Sequence, residues 1–92
     1  MRIRWTQPAA SDLTSICDYI DEHNSSATAR RVAQSIYRSV SSLEKFPYRG
    51  RKGRQMDTRE LVISNLPYIV IYRVNENVVE VLRILHGAQD WP

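Results

Sequence analysis

The chain has 92 residues, which allow one hydrophobic core and predict a single domain over residues 1–92. Its 42% hydrophobic and 25% charged residues, with a net charge of +3, are typical of a globular domain. No apolar run approaches the roughly 20 residues of a membrane span, and no signal peptide is evident, so we expect a cytoplasmic protein without a membrane partner. The single cysteine, Cys17, excludes an internal disulfide and a thiolate zinc cluster and is interpreted as an inert buried thiol. We expect no metal and no cofactor.

The first half of the chain predicts a strand and two helices. Residues 2–6 alternate polar and apolar side chains, as a strand with one buried face does. Pro8 suits the first turn of a helix, and apolar residues at helical spacing continue that helix to about His23. Residues 24–26 interrupt the pattern, and either of their serines can cap a second helix that runs to about Lys45. Two amphipathic helices with so short a joint predict an antiparallel helical hairpin.

The second half predicts a loop and three strands. Phe46-Pro47 ends the second helix, and a loop with two glycines and no apolar pattern follows. Strands are predicted from Arg59 to Ile63, from Tyr68 to Val74 and from Val78 to Leu85. The order β-α-α-β-β-β predicts an α+β fold, with a mostly antiparallel sheet of about four strands and the N-terminal helical hairpin packed on one face.

The positive charge is concentrated in residues 45–59, which we call the basic segment. Residues 1–44 carry five basic and five acidic residues, whereas the basic segment carries six basic residues and Asp57 as its single acidic residue. Arginine outnumbers lysine by eleven to two in the whole chain, which favours forked contacts with phosphate or carboxylate groups. The basic segment is therefore a candidate binding surface.

Short motifs follow one another along nearly the whole chain. They are a tryptophan that ends the first strand, Ala-x-x-Asp-Leu-x-x-Ile-x-x-Tyr-Ile from Ala9 to Ile20, Pro-x-x-Gly-Arg from Pro47 to Arg51, Arg-Glu-Leu-Val from Arg59 to Val62, Pro67 to Val74, and Arg83 to Ala88. In this order they resemble the RelE/ParE superfamily of toxins from bacterial type II toxin–antitoxin systems. The fold of that superfamily, a small antiparallel sheet with a helical hairpin, agrees with the pattern of elements above.

The resemblance implies a growth-inhibiting toxin, of the kind that also acts in plasmid stabilisation, whose cognate antitoxin wraps it with an extended or helical tail. Operator DNA would be contacted only through that antitoxin. The superfamily divides by target: RelE-like members cleave mRNA in the ribosomal A site, whereas ParE-like members inhibit DNA gyrase and are not known as nucleases. The basic segment is interpreted first as a docking surface for an acidic antitoxin tail and second as an RNA-binding surface.

RelE-like cleavage of RNA needs a base, an acid and cations that hold the phosphate. His86 is the candidate base or acid because the ordinary pKa of histidine lies near neutrality, and Arg83 and Arg51 are candidate catalytic cations. Substrate or partner binding is predicted for Arg49, Lys52, Arg54, Tyr68 and Trp91, of which the two aromatic residues could stack on an unpaired base.

Structural roles compete with these catalytic ones. In a regular strand Arg83 and His86 point to opposite faces, and Arg83 could instead form an internal ion pair with Glu60 or Glu80. Nuclease members commonly carry an arginine where this chain has Ile69, and ParE-like members commonly carry Ile-Leu-His at the positions of residues 84–86. The resemblance therefore favours ParE-like inhibition of gyrase, with RelE-like, ribosome-dependent mRNA cleavage as the alternative, and leaves open whether the protein is an enzyme.

Overall fold

The structure is a computed structural model that describes residues 1–87. Its elements are β1 (Arg2–Trp5), α1 (Gln7–His23), α2 (Ser26–Ser41), a 3-10 turn (Ser42–Glu44), β2 (Arg51–Lys52), β3 (Arg59–Val62), β4 (Tyr68–Asn75) and β5 (Val78–His86). Neither α1 nor α2 has the length and the apolar character that a membrane span needs.

Both helices begin at a side-chain cap. The hydroxyl of Thr6 accepts a hydrogen bond from the backbone N–H of Ala9 at 3.4 Å, and Pro8 lies in the first turn of α1, where its missing N–H costs nothing. Ser25 is the N-cap of α2, because its hydroxyl accepts from the N–H of Thr28 at 3.1 Å. The apolar stripes of the two helices then pack together and against the sheet.

The sheet has five strands in the order β1-β5-β4-β3-β2. The predicted α+β fold is confirmed, with two differences. β2 is an additional, two-residue strand inside the basic segment, where no apolar alternation marks it in the sequence. β1 runs parallel to β5, from Arg2 opposite Val78 to Trp5 opposite Val81, so the sheet is mixed. That pairing joins residues far apart in the sequence, and no local turn fixes its direction.

One hydrophobic core lies between the helical hairpin and one face of the sheet. The strands contribute Leu61, Val70, Tyr72, Val79, Val81 and Ile84, Ile63 follows directly after β3, and the helical half contributes Ala9, Leu13, Val32, Ile36, Val40 and Leu43. Full burial of one such aliphatic side chain stabilises the fold by about 1.5–3 kcal/mol.

A β-bulge divides β5 into two parts. Tyr72 pairs with Val81 but the preceding Ile71 pairs with Arg83, so Leu82 is an extra residue in β5. The bulge shifts the alternation of side chains, which allows Ile84 to join Val81 in the core. β1 pairs with β5 only as far as Val81, so the bulge also lies where β1 ends.

Candidate functional site

Arg83, a candidate catalytic cation, forms an ion pair with α1. Its Nε and Nη2 donate to the two carboxylate oxygens of Asp12 at 2.6 and 3.0 Å, and the backbone N–H of Ile84 donates to the same carboxylate at 3.0 Å. The hydrogen bonds to Asp12 raise the pKa of the Arg83 guanidinium. The sequence offered Glu60 and Glu80 as possible ion-pair partners, but the partner is Asp12. β1 stops pairing with β5 at Val81, so α1 contacts β5 beyond that point.

His86, the candidate base or acid, pairs with Tyr68 at the start of β4. The two rings meet edge to face, with their centroids 6.0 Å apart and their planes at 87°. His86 is exposed and Tyr68 is half-buried, and burial raises the pKa of the Tyr68 hydroxyl. Trp91, the second predicted stacking residue, lies outside the described residues.

A small cavity brings three of the predicted site residues together. Its volume is about 70 Å³, and its lining includes Arg51, Arg54 and His86 but not Arg83. Arg51 donates to Glu60 Oε1 from Nε at 3.2 Å and from Nη2 at 3.0 Å, while the backbone N–H of Arg54 donates to Oε2 at 3.3 Å. A water molecule occupies about 30 Å³ in the liquid, so this cavity as it stands has room for solvent but not for a nucleotide.

Two side chains outside the predicted site, Tyr72 and Arg59, hold the start of the basic segment against the sheet. The hydroxyl of the buried Tyr72 accepts from the N–H of Gly50 at 2.9 Å and donates to the carbonyl of Pro47 at 2.7 Å. Arg59 donates to the carbonyls of Gly50 and Tyr48 at 2.8 and 3.2 Å. Burial raises the pKa of Tyr72. A tyrosine inside an apolar strand pattern was the available signal, because a buried hydroxyl needs a hydrogen-bond partner.

Arg49, also predicted to bind a partner, contacts residues at the end of the helical half of the molecule. Its Nη1 donates to the hydroxyl of Ser42 at 2.5 Å, and its backbone N–H donates to the carbonyl of Phe46 at 3.2 Å. Lys52 and Arg54 lie farther along the segment and are exposed. They line a second, larger cavity of about 670 Å³ between the turn at residues 53–58 and the end of β4.

A buried carboxylate on the sheet links three strands. Glu80 of β5 is 7% exposed and accepts from Arg4 of β1 on one side and from Nε of Arg73 on β4, at 2.7 Å, on the other. One carboxylate therefore serves two guanidinium groups. In the described part of the chain no group of three or more histidine, cysteine, aspartate or glutamate side chains is placed to hold a metal ion.

Sequence comparisons point to a toxin family. The family described as the ParE toxin of the type II toxin–antitoxin system parDE matches residues 3–91. A protein of Sinorhizobium fredii named as a toxin, Y4kP, is 44% identical over 91 residues. The match covers 99% of this chain and 93% of that protein. Toxin RelE2 of Caulobacter vibrioides is 38% identical over 88 residues, which cover 96% of this chain and 97% of that toxin.

The fold has a solved counterpart in the chromosomal ParDE toxin–antitoxin system from P. aeruginosa. The match has a TM-score of 0.87 and 27% sequence identity, and it covers 94% of this chain and 95% of the other. The chain is a bacterial-type toxin of the RelE/ParE superfamily, as its motifs predicted. Within that class it belongs to the ParE toxin family, and it is the toxin component of a type II toxin–antitoxin system.

Proposed function

We propose that the toxin acts by inhibiting DNA gyrase, the ParE-like activity favoured by the sequence motifs. The observation that carries the proposal is the state of the candidate catalytic cations. Arg83 is bound by Asp12 through two hydrogen bonds, and Arg51 is bound by Glu60. A guanidinium already paired with a carboxylate must lose that partner before it can hold a scissile phosphate, and breaking such a pair costs free energy.

A supercoiling assay with purified gyrase, relaxed plasmid and the toxin tests this proposal. Inhibition is expected at micromolar toxin, and the His86→Gln variant is expected to inhibit as well as the unchanged protein. Toxin mixed with an excess of its antitoxin is the control for contaminating inhibitors. Undisturbed supercoiling at micromolar toxin contradicts the proposal.

The antitoxin is proposed to dock an acidic tail on the basic segment, with Arg49, Lys52 and Arg54 as its contacts. The local excess of positive charge supports this surface, because opposite charges speed association and fix orientation. Operator DNA would then be bound through the antitoxin, and the site of action would be the cytoplasm.

Affinity for the antitoxin should fall in the Lys52→Gln/Arg54→Gln double variant and fall further with salt. Affinity that is unchanged by both is evidence for docking on another surface.

Ribosome-dependent mRNA cleavage remains a second candidate because one observation favours it. Arg51, Arg54 and His86 line the same small cavity, so a cation and a titratable group already lie together. Mapping of mRNA ends after brief induction separates the two functions. New mRNA ends near A-site codons that appear on induction and are lost in the His86→Gln variant would establish the nuclease. If induction of the toxin produces no new ends, the gyrase proposal is favoured.

A further inference from the structure

The larger cavity is formed where β3 stops pairing with β4. The last pair joins Arg59 to Tyr72, although β4 continues to Asn75. Before Arg59 the chain turns away, with Asp57 in the left-handed region at φ 63°. The space left between this turn and the end of β4 measures about 670 Å³, a size within the range of small-molecule binding sites.

The turn that forms one wall is closed by its own hydrogen bonds. The N–H of Gly53 donates to the carbonyl of Thr58 at 2.8 Å, and both the N–H and the hydroxyl of the buried Thr58 donate to the carbonyl of Gln55, at 3.2 and 2.7 Å. A Cβ atom at Gly53 would collide with the Thr58 hydroxyl, so the turn requires glycine there. The flanking basic residues are therefore attached to a well-defined backbone.

The charge of the cavity is strongly positive. Its lining includes the basic residues Lys52, Arg54, Arg59 and Arg73, and Asp57 is the one acidic residue among the described lining residues. Arg59 donates its hydrogen bonds to backbone carbonyls and so keeps its full charge. Arg73 shares the single carboxylate of Glu80 with Arg4. Arg73 is therefore paired, and the other three cations outnumber Asp57, which attracts a ligand with negative charge.

The aromatic ring of Tyr48 lies beside these cations in the lining of the cavity. Tyr48 is 61% exposed and lines the cavity, and the guanidinium of Arg59 lies 5.0 Å from its ring centroid. This cation–π contact orients the ring and covers one of its faces. The other face can accept a planar base, because stacking on aromatic side chains is how proteins commonly hold unpaired bases.

We infer that this cavity binds a nucleoside triphosphate, with its phosphates between Lys52 and Arg54 and its base against Tyr48. Arginine and lysine together suit phosphate, which accepts both forked and single hydrogen bonds. A free nucleotide is favoured over a nucleic-acid strand because the cations are gathered in one cavity, and Glu76 follows directly after its Asn75 edge. The inference does not depend on which target the toxin has.

Isothermal titration of the purified full-length toxin tests the inference, with ATP, inorganic triphosphate and adenosine as separate probes in magnesium-free buffer. ATP and triphosphate are expected to bind, ATP more tightly, and adenosine alone is not. Lys52→Gln/Arg54→Gln should weaken ATP binding at least about tenfold, which corresponds to the loss of charged contacts of ordinary strength. Tyr48→Ala should reduce the affinity for ATP to that for triphosphate.

The matched control is Arg30→Gln/Arg31→Gln, which removes the same charge from exposed positions on α2. It should change ATP affinity less than about twofold, and circular dichroism checks that all variants are folded. Equal losses in the two double variants would overturn the inference, as would the absence of ATP binding at about 1 mM. Tighter binding of a short oligonucleotide than of ATP would also overturn it, in favour of a nucleic-acid strand.

Discussion

Two regions of this toxin are rich in basic and titratable side chains, yet they offer different chemistry. At the end of β5, Arg83 is held by Asp12 in a forked ion pair. In the basic segment, Arg59 donates to carbonyl oxygens, and Lys52 and Arg54 are exposed. A sequence counts the charges of both regions alike. The structure distinguishes Arg83, whose charge is paired within the fold, from Lys52 and Arg54, whose exposed charges a partner or ligand can contact.

Removal of Asp12 is the strongest test of the first region. Asp12→Ala leaves Arg83 and the N–H of Ile84 without the carboxylate that binds them, and we expect a loss of roughly 2–3 kcal/mol in the free energy of unfolding, because the pair is only partly buried. Urea unfolding measures the loss. Asp18→Ala, at an exposed position of the same helix, should cost less than about 0.5 kcal/mol. Similar losses in the two variants would show that the ion pair adds nothing.

A methyl group at Gly50 tests how closely the basic segment packs against the sheet. A Cβ atom there would lie 2.7 Å from the hydroxyl and 2.8 Å from Cε1 of Tyr72, and 3.0 Å from the carbonyl of Glu60. Gly50→Ala should therefore destabilise the fold by about 1–3 kcal/mol through overpacking. The measurement is the midpoint of thermal unfolding. Gly87→Ala, whose Cβ meets nothing closer than 3.5 Å, is the control and should leave the midpoint nearly unchanged.

The Tyr72 hydroxyl tests the same attachment of the basic segment to the sheet. Tyr72→Phe removes the acceptor for the N–H of Gly50 and the donor to Pro47, and should cost about 1–2 kcal/mol. Hydrogen exchange at the Gly50 amide should speed up more than exchange in α1. Tyr19→Phe changes an exposed ring and should have little effect on either quantity. Unchanged exchange at Gly50 would mean that Arg59 alone seats the segment.

The smallest effect expected is on the thiol of Cys17. Burial, and secondarily the charge of Asp18, raises the pKa of this thiol above its ordinary value of 9.0. A raised pKa leaves less thiolate at any given pH, so alkylation by iodoacetamide at pH 8 should be slower than that of a free cysteine and should accelerate only at higher pH. Alkylation as fast as that of the free amino acid would show that α1 opens readily.

The fold followed from local patterns in the sequence, whereas the site did not. The serine cap of α2, the apolar stripes of the helices and the strands β4 and β5 depend on neighbours in the chain, and those predictions are confirmed. The pair of Arg83 with Asp12 joins residues 71 positions apart, and it depends on a bulge that no residue type announces. β2 was missed for a similar reason, since two exposed residues carry no alternation. The roles proposed for His86, Lys52 and Arg54 remain predictions.

The parallel pairing of β1 with β5 has a consequence for the order of events during synthesis. Arg2 pairs with Val78, so the first strand emerges from the ribosome long before the residues beside which it settles. Closing so long a loop makes this pairing one of the slow steps of folding. Until residues 78–84 are made, the core lacks Val79, Val81 and Ile84, and Asp12 has no arginine to hold. A nascent chain of this toxin is therefore an unfinished fold for most of its own translation.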